Sequence, residues 1–241
     1  MTETHAEWLK SLEAQSREKQ QRFMSRIAGR LGHPQMKERP QHPYRGAPDF
    51  WRQKEWTPEE RIEQFTSNFL SVGGHVERVQ GMDEASVFIA GKARELSAKY
   101  IVRQDDAKLA ELSLERELPE ADIAVWNSGE GENWKARAAG ADFGIVMADH
   151  AVAYTGSVVV ESAKEKGRSV SLLPTVLFII IPVLRLKTRL GEVLTGFDER
   201  GRAGLPAGIH FISGPSRSSD IENDLTIGVH GPGIVYALLV E

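Results

Sequence analysis

The sequence contains no cysteine. Without thiols the chain cannot form disulfides, supply a thiolate nucleophile or hold an iron–sulfur cluster through cysteine ligands. Metal-ligand spacings are also missing, because adjacent Asp149 and His150 have no suitably spaced third ligand and no HExxH motif occurs. We therefore expect no metal and no cofactor in this chain. Any electron transfer connected with it would take place in a partner protein.

Long apolar segments are absent as well. The longest run, residues 176–181, has six residues, which is too short to cross a bilayer about 30 Å thick. The first five residues lack the basic and apolar regions of a secretory signal. A length of 241 residues and a hydrophobic content of 41% are ordinary for a soluble protein with one large domain or with a domain and an arm. We expect a cytoplasmic location.

Charge is distributed unevenly along the chain. Residues 1–56 carry 11 Lys and Arg against 7 Asp and Glu, whereas the remainder carries 19 against 27. The basic residues of the first segment alternate with Glu, which favours contact with a partner protein or a second subunit over contact with nucleic acid. Helical spacing of apolar residues predicts a projecting helix over residues 5–31, and a Pro-rich arm follows. We expect this arm, residues 1–56, to make intermolecular contacts and to support a homo-oligomer.

Residues 57–241 predict an α/β domain. Helices are expected over residues 57–72, 83–98, 130–139 and 183–194. Strands are expected over residues 75–79, 100–102, 121–126, 143–147, 157–161, 170–172, 176–181, 209–212, 225–229 and 235–240. The alternation of helices and strands indicates a mixed, largely parallel sheet with flanking helices. The run 176–181 should lie centrally, and the short connection between the last two strands predicts an antiparallel hairpin.

Two glycine-containing loops and a Gly-Pro turn could bind a small anion, and the loops that follow strands are common ligand sites in α/β folds. The candidate ligand-binding residues are Thr155, Gly156 and Ser157 in the first loop, Ser213, Gly214, Ser216 and Arg217 in the second, and Gly231 in the turn. Gly156 would let amides and hydroxyls approach an anion closely, and Arg217 could bind a carboxylate bidentately. Each loop also has a structural interpretation. Gly156 could supply only a positive φ to a turn, and Arg217 could pair with Asp220 or Glu222.

His230, followed by Gly231 in a tight turn, is the best candidate for a catalytic side chain. A neutral imidazole could act as an acid or base near pH 7. It could equally hydrogen-bond the backbone of the turn, because no paired carboxylate is identifiable in the sequence. Ser171 has no visible base partner and is interpreted as a buried hydroxyl bonded to backbone. No GxGxxG or P-loop motif is present, so nucleotide binding has no direct support.

Several segments together carry a family resemblance. They are Ser-Gly-Pro-Ser-Arg at 213–217, Ser-Asp-Ile-Glu at 219–222, Gly-Val-His-Gly-Pro at 228–232, Ala-Asp-Phe-Gly-Ile at 141–145, Thr-Gly-Ser at 155–157, Arg-Ser-Val-Ser-Leu-Leu-Pro at 168–174, and the helical stretch 23–31. This set resembles the lactate-utilization protein C family, the standalone, YkgG-like LUD-domain proteins. The resemblance covers nearly the whole chain and is strongest from about residue 141 onward. One departure is Tyr154, because that position is commonly acidic in the family.

The resemblance implies a fold, a function and partners. The fold would be the sugar-phosphate-isomerase and CoA-transferase-like (NagB/RpiA/CoA-transferase-like) α/β architecture over residues 57–241. The function would be that of a non-redox subunit in the oxidation of L-lactate to pyruvate, together with iron–sulfur partner proteins. The resemblance also favours ligand binding at the two loops. Two alternatives stay open: an independent enzyme acting on a sugar phosphate or CoA ester, and a structural subunit without a ligand.

Overall fold

The computed structural model describes residues 5–32, 54–129, 131–218 and 225–241. The chain separates into two compact units, Met1–Arg52 and Gln53–Glu241. Most of the predicted Pro-rich arm, residues 33–53, lies outside the described residues. None of the helices in the described ranges has both the length and the apolar character that crossing a bilayer requires.

The first unit contains one long helix, α1 (His5–Leu31), as predicted. Its charged middle is held by intrahelical ion pairs, including Arg17 with Glu13 at 2.6 Å. Ala28 is the one residue of this helix that is buried. Its larger apolar side chains are all at least 39% exposed: Trp8, Leu9, Leu12, Phe23, Met24, Ile27 and Leu31. The helix therefore presents two apolar ends to its surroundings.

The second unit is built on a six-stranded sheet in which all neighbouring pairs are parallel. Its strands are β1 (His75–Val79), β2 (Tyr100–Arg103), β3 (Asp122–Val125), β4 (Phe143–Met147), β7 (Val176–Pro182) and β12 (Ile234–Val240). Their spatial order is β1-β12-β7-β4-β2-β3, so β7 lies between β12 and β4 as the apolar run predicts. Six of the seven residues of β7 are buried.

The antiparallel strand pairs lie in two smaller sheets. Their strands are β5 (His150–Val152), β6 (Ser157–Glu161), β8 (Leu186–Lys187), β9 (Ile209–Ile212), β10 (Arg217–Ser218) and β11 (Thr226–Ile227). The four-stranded sheet has the order β8-β5-β6-β9, and the two-stranded sheet pairs β10 with β11. The predicted mixed, largely parallel α/β architecture is therefore confirmed.

The predicted antiparallel hairpin at the carboxyl end of the chain is wrong. The exposed strand β11 pairs with β10, whereas β12 lies parallel to both β1 and β7, with Val235 opposite Leu177. Because β12 is apolar on both faces, its insertion between two strands buries far more apolar surface than a hairpin with the exposed β11 would. Burial outweighs proximity along the chain.

The helices flank these sheets. They are α2 (Pro58–Ser71), α3 (Met82–Glu95), α4 (Ala107–Ala110), α5 (Leu114–Glu117), α6 (Trp134–Ala139), α7 (Ser169–Leu172) and α8 (Leu190–Arg200). Helix α2 begins with the predicted capping box, in which Thr57 and Glu60 each accept from the other's backbone amide. Two apolar cores cover opposite faces of the six-stranded sheet, since alternate residues of β7 belong to different cores.

Two predicted elements differ in type. Residues 170–172 form the helical turn α7 instead of a strand, because Val170 packs on β4 and the Leu173 amide finds a local partner in Ser169 O. The predicted helix over residues 183–194 begins only at Leu190. Residues before it form a short 3₁₀ turn and β8, where the buried Thr188 hydroxyl accepts from Trp56 N and is bound by Arg61.

We predict that Gly144→Ala destabilises the protein strongly. A Cβ at this position of β4 would lie 2.1 Å from Val170 O and 2.9 Å from the Pro174 ring. Because a backbone carbonyl cannot move aside cheaply, the free energy of unfolding should fall by about 3 kcal/mol or more, as measured by urea denaturation. The control is Gly196→Ala in α8, where a Cβ would meet nothing within 4 Å. That change should raise stability by about 0.5–1 kcal/mol, and equal effects at both sites would contradict the packing described for β4.

Candidate functional site

The second predicted loop lies at the amino-terminal edge of the six-stranded sheet. Gly233 N donates to Thr175 O at 3.0 Å, directly before β12 and β7 begin. Ser216 N donates to Pro232 O at 2.9 Å, which joins residues 213–217 to the same edge. The loop is therefore opposite to the carboxyl edge, at which open parallel sheets usually bind ligands.

A pair of serine hydroxyls joins the first predicted loop to the second. Ser157 begins β6 and Ser213 follows β9, and these strands are antiparallel with Val158 opposite Ile212. This register places the two Oγ atoms 2.7 Å apart. Ser157 is 7% exposed, so its hydroxyl needs this partner. Residues far apart in the sequence thus form one hydroxyl pair.

Gly156 has a structural reason to be glycine. Its φ is +58°, and a Cβ would lie 2.8 Å from both Asn68 Cβ and Phe69 N in helix α2. The Asn68 amide donates to Ala153 O at 2.9 Å and to Tyr154 O at 3.1 Å, which ties the turn to the helix. Gly156 is therefore required for close approach of α2, while the neighbouring Thr155 is exposed.

Arg217 lies against the carboxyl-terminal end of the same helix. One guanidinium Nη atom donates to Val72 O, the C-cap carbonyl of α2, where a cation is also favoured by the helix dipole. Gly73 makes room for this guanidinium, and Gly214, with φ +86°, lies against Val72. The remaining guanidinium nitrogens make no hydrogen bond to the described residues, and the side chain is exposed. The predicted ion-pair partners at positions 220 and 222 lie outside the described residues.

His230 is exposed next to this loop and has no hydrogen-bond partner among the described residues. Gly231 packs closely on Ser216, because a Cβ added at Gly231 would lie 3.2 Å from Ser216 Cβ. Contacts therefore connect Ser157, Ser213, Gly214, Ser216, Arg217 and Gly231, the group that we call the serine–arginine site. It offers hydroxyls and one guanidinium, which suits binding of a small anion.

Tyr154 lies in an aromatic environment at a position that is commonly acidic in the family. Its ring lies 6.1 Å from that of Trp56, and Lys54 Nζ lies 5.0 Å from the centre of each ring. This contact resembles other cation–aromatic contacts at protein surfaces. Proton transfer by a carboxylate at this position is not available to the chain.

The carboxyl edge carries a charged network that sequence reasoning missed. Lys166 Nζ lies 2.7 Å from Asp149 Oδ1 and 4.0 Å from Asp106 Oδ2. Asp149 also accepts from Glu161 N at 2.7 Å, and Arg200 binds Glu161 bidentately with both contacts at 2.7 Å. A signal was present, because Asp106 follows β2 and Asp149 follows β4. Their partners are distant in sequence and could not be read from spacing.

The electrostatics of this network are those of paired charges. The hydrogen bonds from Arg200 lower the pKa of Glu161. Burial lowers the pKa of His150, whose ring packs edge-on against Phe197. Each carboxylate of the network therefore has a cation or amide partner, and the network connects β2, β4, β6 and α8.

A separate cavity of about 270 Å³, between β2, β3 and α6, is lined by Asp122 and Arg137, which pair with each other.

The sequence matches a family model over most of the second unit. The model describes the LUD domain, and the matched residues are 62–240. The chain belongs to the LUD domain family. The resemblance noted from the motifs is therefore confirmed, and it extends beyond the serine–arginine site to the whole α/β domain.

Several similar proteins share the name lactate utilization protein C. Lactate utilization protein C of Halalkalibacterium halodurans is 33% identical over 93% of this chain and 98% of its own length. Lactate utilization protein C of Shouchella clausii is 31% identical over 87% and 92%. YkgG of Escherichia coli, described as uncharacterized, is 34% identical over 61% and 65%. A DUF162 family protein from Deinococcus radiodurans has the same fold, with a TM-score of 0.58 and 17% identity over 77% of this chain and 99% of that chain.

We predict that the Ser157–Ser213 pair contributes about 0.5–1.5 kcal/mol to stability. The free energies of unfolding of Ser157→Ala, Ser213→Ala and the double variant, obtained by urea denaturation, form a double-mutant cycle that isolates the pair. A control cycle combines Ser157→Ala with Ser67→Ala on the exposed surface of α2 and should give a coupling near zero. Indistinguishable coupling energies in the two cycles would show that the hydroxyls are not bonded in solution.

Proposed function

We propose that this chain is a cytoplasmic component of an L-lactate utilization system, acting with iron–sulfur partner proteins and supplying a small-anion or docking site. The observation that carries the proposal is the near full-length similarity to lactate utilization protein C, which covers 93% of this chain. The absence of cysteine supports a division of labour, because clusters ligated by cysteine would have to reside in the partners.

The serine–arginine site supports a role in binding a carboxylate. L-lactate and pyruvate each carry one carboxylate, and Arg217 retains guanidinium donors that make no hydrogen bond to any residue the structure describes. The exposed Ser213 hydroxyl and the nearby Ser216 could complete such a contact. His230 precedes Gly231, which packs on Ser216, and an imidazole beside this site could act as its acid or base.

The alternative, an independent isomerase or CoA-transferase of the same fold, would need a carboxylate or lysine at its reacting centre. The serine–arginine site contains neither, and Tyr154 occupies the position that is commonly acidic in the family. A shared fold does not by itself transfer an activity. These facts favour the partner-dependent function.

Helix α1 supports association with another chain. Its apolar ends are exposed, with the side chain of Phe23 at 63% and that of Ile27 at 39%. Exposed apolar patches of this kind usually mark interaction surfaces. We propose that these ends contact a second copy of the chain. The helix would then contribute to assembly and not to ligand binding.

We predict that Arg217→Lys impairs growth on L-lactate in a host strain that lacks the native gene. Lysine keeps the charge but loses the bidentate fork, which should weaken anion binding about tenfold, or ~1.4 kcal/mol. The melting temperature should change little, since an exposed arginine contributes only about 0–1 kcal/mol.

The matched control is Arg202→Lys, an exposed arginine without an ion pair in the described part of the chain. It should support normal growth. A large fall in melting temperature with normal growth for Arg217→Lys would show that the contact with Val72 is its whole role. Oxidation of L-lactate by the purified chain alone, with an artificial acceptor, would contradict dependence on partners.

We also predict that Phe23→Glu combined with Ile27→Glu reduces the oligomeric state of the full chain. Charges at these positions would have to be desolvated in an apolar interface, at a cost of several kcal/mol. Sedimentation velocity measures the change, with Gln20→Glu in the polar middle of α1 as the control. If the native chain sediments as a monomer, or if the double variant assembles like the control, α1 does not mediate self-association.

A further inference from the structure

A serine and a histidine outside the serine–arginine site lie in hydrogen-bond contact. Ser162 follows β6 directly, and His210 lies in β9, where it is opposite Val160. The amide of Ser162 donates to Gly208 O at 2.9 Å, which fixes the backbone of the pair. Ser162 Oγ is 3.0 Å from His210 Nε2. This separation is within the range at which a base can accept a hydroxyl proton.

The environment of His210 suits a base. Partial burial, and secondarily the positive charge of Arg168, lower the pKa of the imidazole. A lowered pKa favours the neutral ring, and in the Nδ1–H tautomer its Nε2 can accept the proton of Ser162. In the described ranges no carboxylate hydrogen-bonds the other ring nitrogen, so the arrangement is a dyad.

Gly208 leaves both reacting atoms uncovered. A Cβ at this position would lie 3.1 Å from Ser162 Oγ and 3.1 Å from His210 Nε2. The backbone of Gly208 does not adopt the left-handed conformation that favours glycine. A larger residue at position 208 would therefore reduce the space at the dyad without straining the backbone.

Arg168 adds a cation that the fold leaves unused. It is exposed, and its guanidinium has no ion-pair or hydrogen-bond partner within the described ranges. It is close enough to His210 for its charge to act on the imidazole. An anionic group on a molecule bound at the dyad would therefore find a free guanidinium nearby.

We propose that Ser162 and His210 form a nucleophilic dyad that accepts an acyl group from an anionic activated ester or thioester. Ser162 Oγ bonds to the carbonyl carbon while His210 takes the hydroxyl proton. The bond from that carbon to the leaving oxygen or sulfur then breaks, and the leaving group receives the proton from His210. Water, activated by His210, hydrolyses the acyl-serine and releases the carboxylic acid. This activity shares no residue with the serine–arginine site and does not depend on the lactate role.

The full chain is tested with a fluorophosphonate probe, which bonds to a nucleophilic serine oxygen and releases fluoride. Peptide mass spectrometry should find one adduct, on Ser162, and none on the urea-unfolded chain. Loss of a general base typically costs about 10²-fold or more in rate, so His210→Gln should label at least tenfold more slowly. Gly208→Ala should slow labelling similarly by crowding the dyad. The control Ser67→Ala, at an exposed serine with no histidine partner in the described part of the chain, should label as the native chain does.

A second measurement addresses the substrate class. The 4-nitrophenyl ester of succinate, which is anionic, should acylate Ser162 faster than 4-nitrophenyl acetate, and Arg168→Gln should abolish that preference. Absence of an adduct on the native chain, adducts spread over several serines, or equal labelling of the native chain and His210→Gln would each overturn the proposal. Ser162→Ala should give no adduct. Melting temperatures check that each variant is folded, and His210→Gln and Gly208→Ala still test the proposal if Ser162→Ala does not fold.

Discussion

The strand Val176–Pro182 has no solvent-facing side, and the rest of the domain is arranged around that constraint. Its alternate side chains belong to two different cores, with Leu177, Ile179 and Ile181 in one and Phe178 and Ile180 in the other. At about 1.5–3 kcal/mol for each buried large apolar side chain, this strand contributes strongly to stability. Strands β4 and β12 must pair with it on either side, because every backbone amide and carbonyl so deeply buried needs a partner.

Pairing at this strand also fixes the serine–arginine site. The amino ends of β7 and β12 lie side by side, so Thr175 and the turn before β12 are bonded to each other, and Ser216 is bonded to that turn. The loop then reaches the end of α2, where Arg217 binds Val72. The site is thus held by backbone contacts and by the Ser157–Ser213 hydrogen bond, while the remaining guanidinium nitrogens of Arg217 make no hydrogen bond within the described residues. Such a preorganised arrangement suits recognition of a small anion.

The candidate site could be predicted only in part. Thr155, Ser157, Ser213 and Arg217 were identifiable because glycine, hydroxyl and guanidinium groups occur together in loops. Their meeting was not predictable, because it depends on the register of β6 against β9. The Ser162–His210 pair depends on that same register, and neither residue belongs to a recognisable motif. Charged partners such as Lys166 and Asp149 were missed because their contact also depends on the fold and not on their spacing in the sequence.

The sequence by itself determined the local elements and the family. Helix α1, the capping box at Thr57, the strand bounds 75–79, 143–147, 157–161 and 209–212 and the central position of β7 follow from apolar periodicity and capping chemistry, which act over a few residues. Tertiary structure decided the partner of β12, the short strand Leu186–Lys187 and the helical turn at Val170. Each of these depends on which surface covers the residue, and a burial free energy is set by neighbours that are distant along the chain.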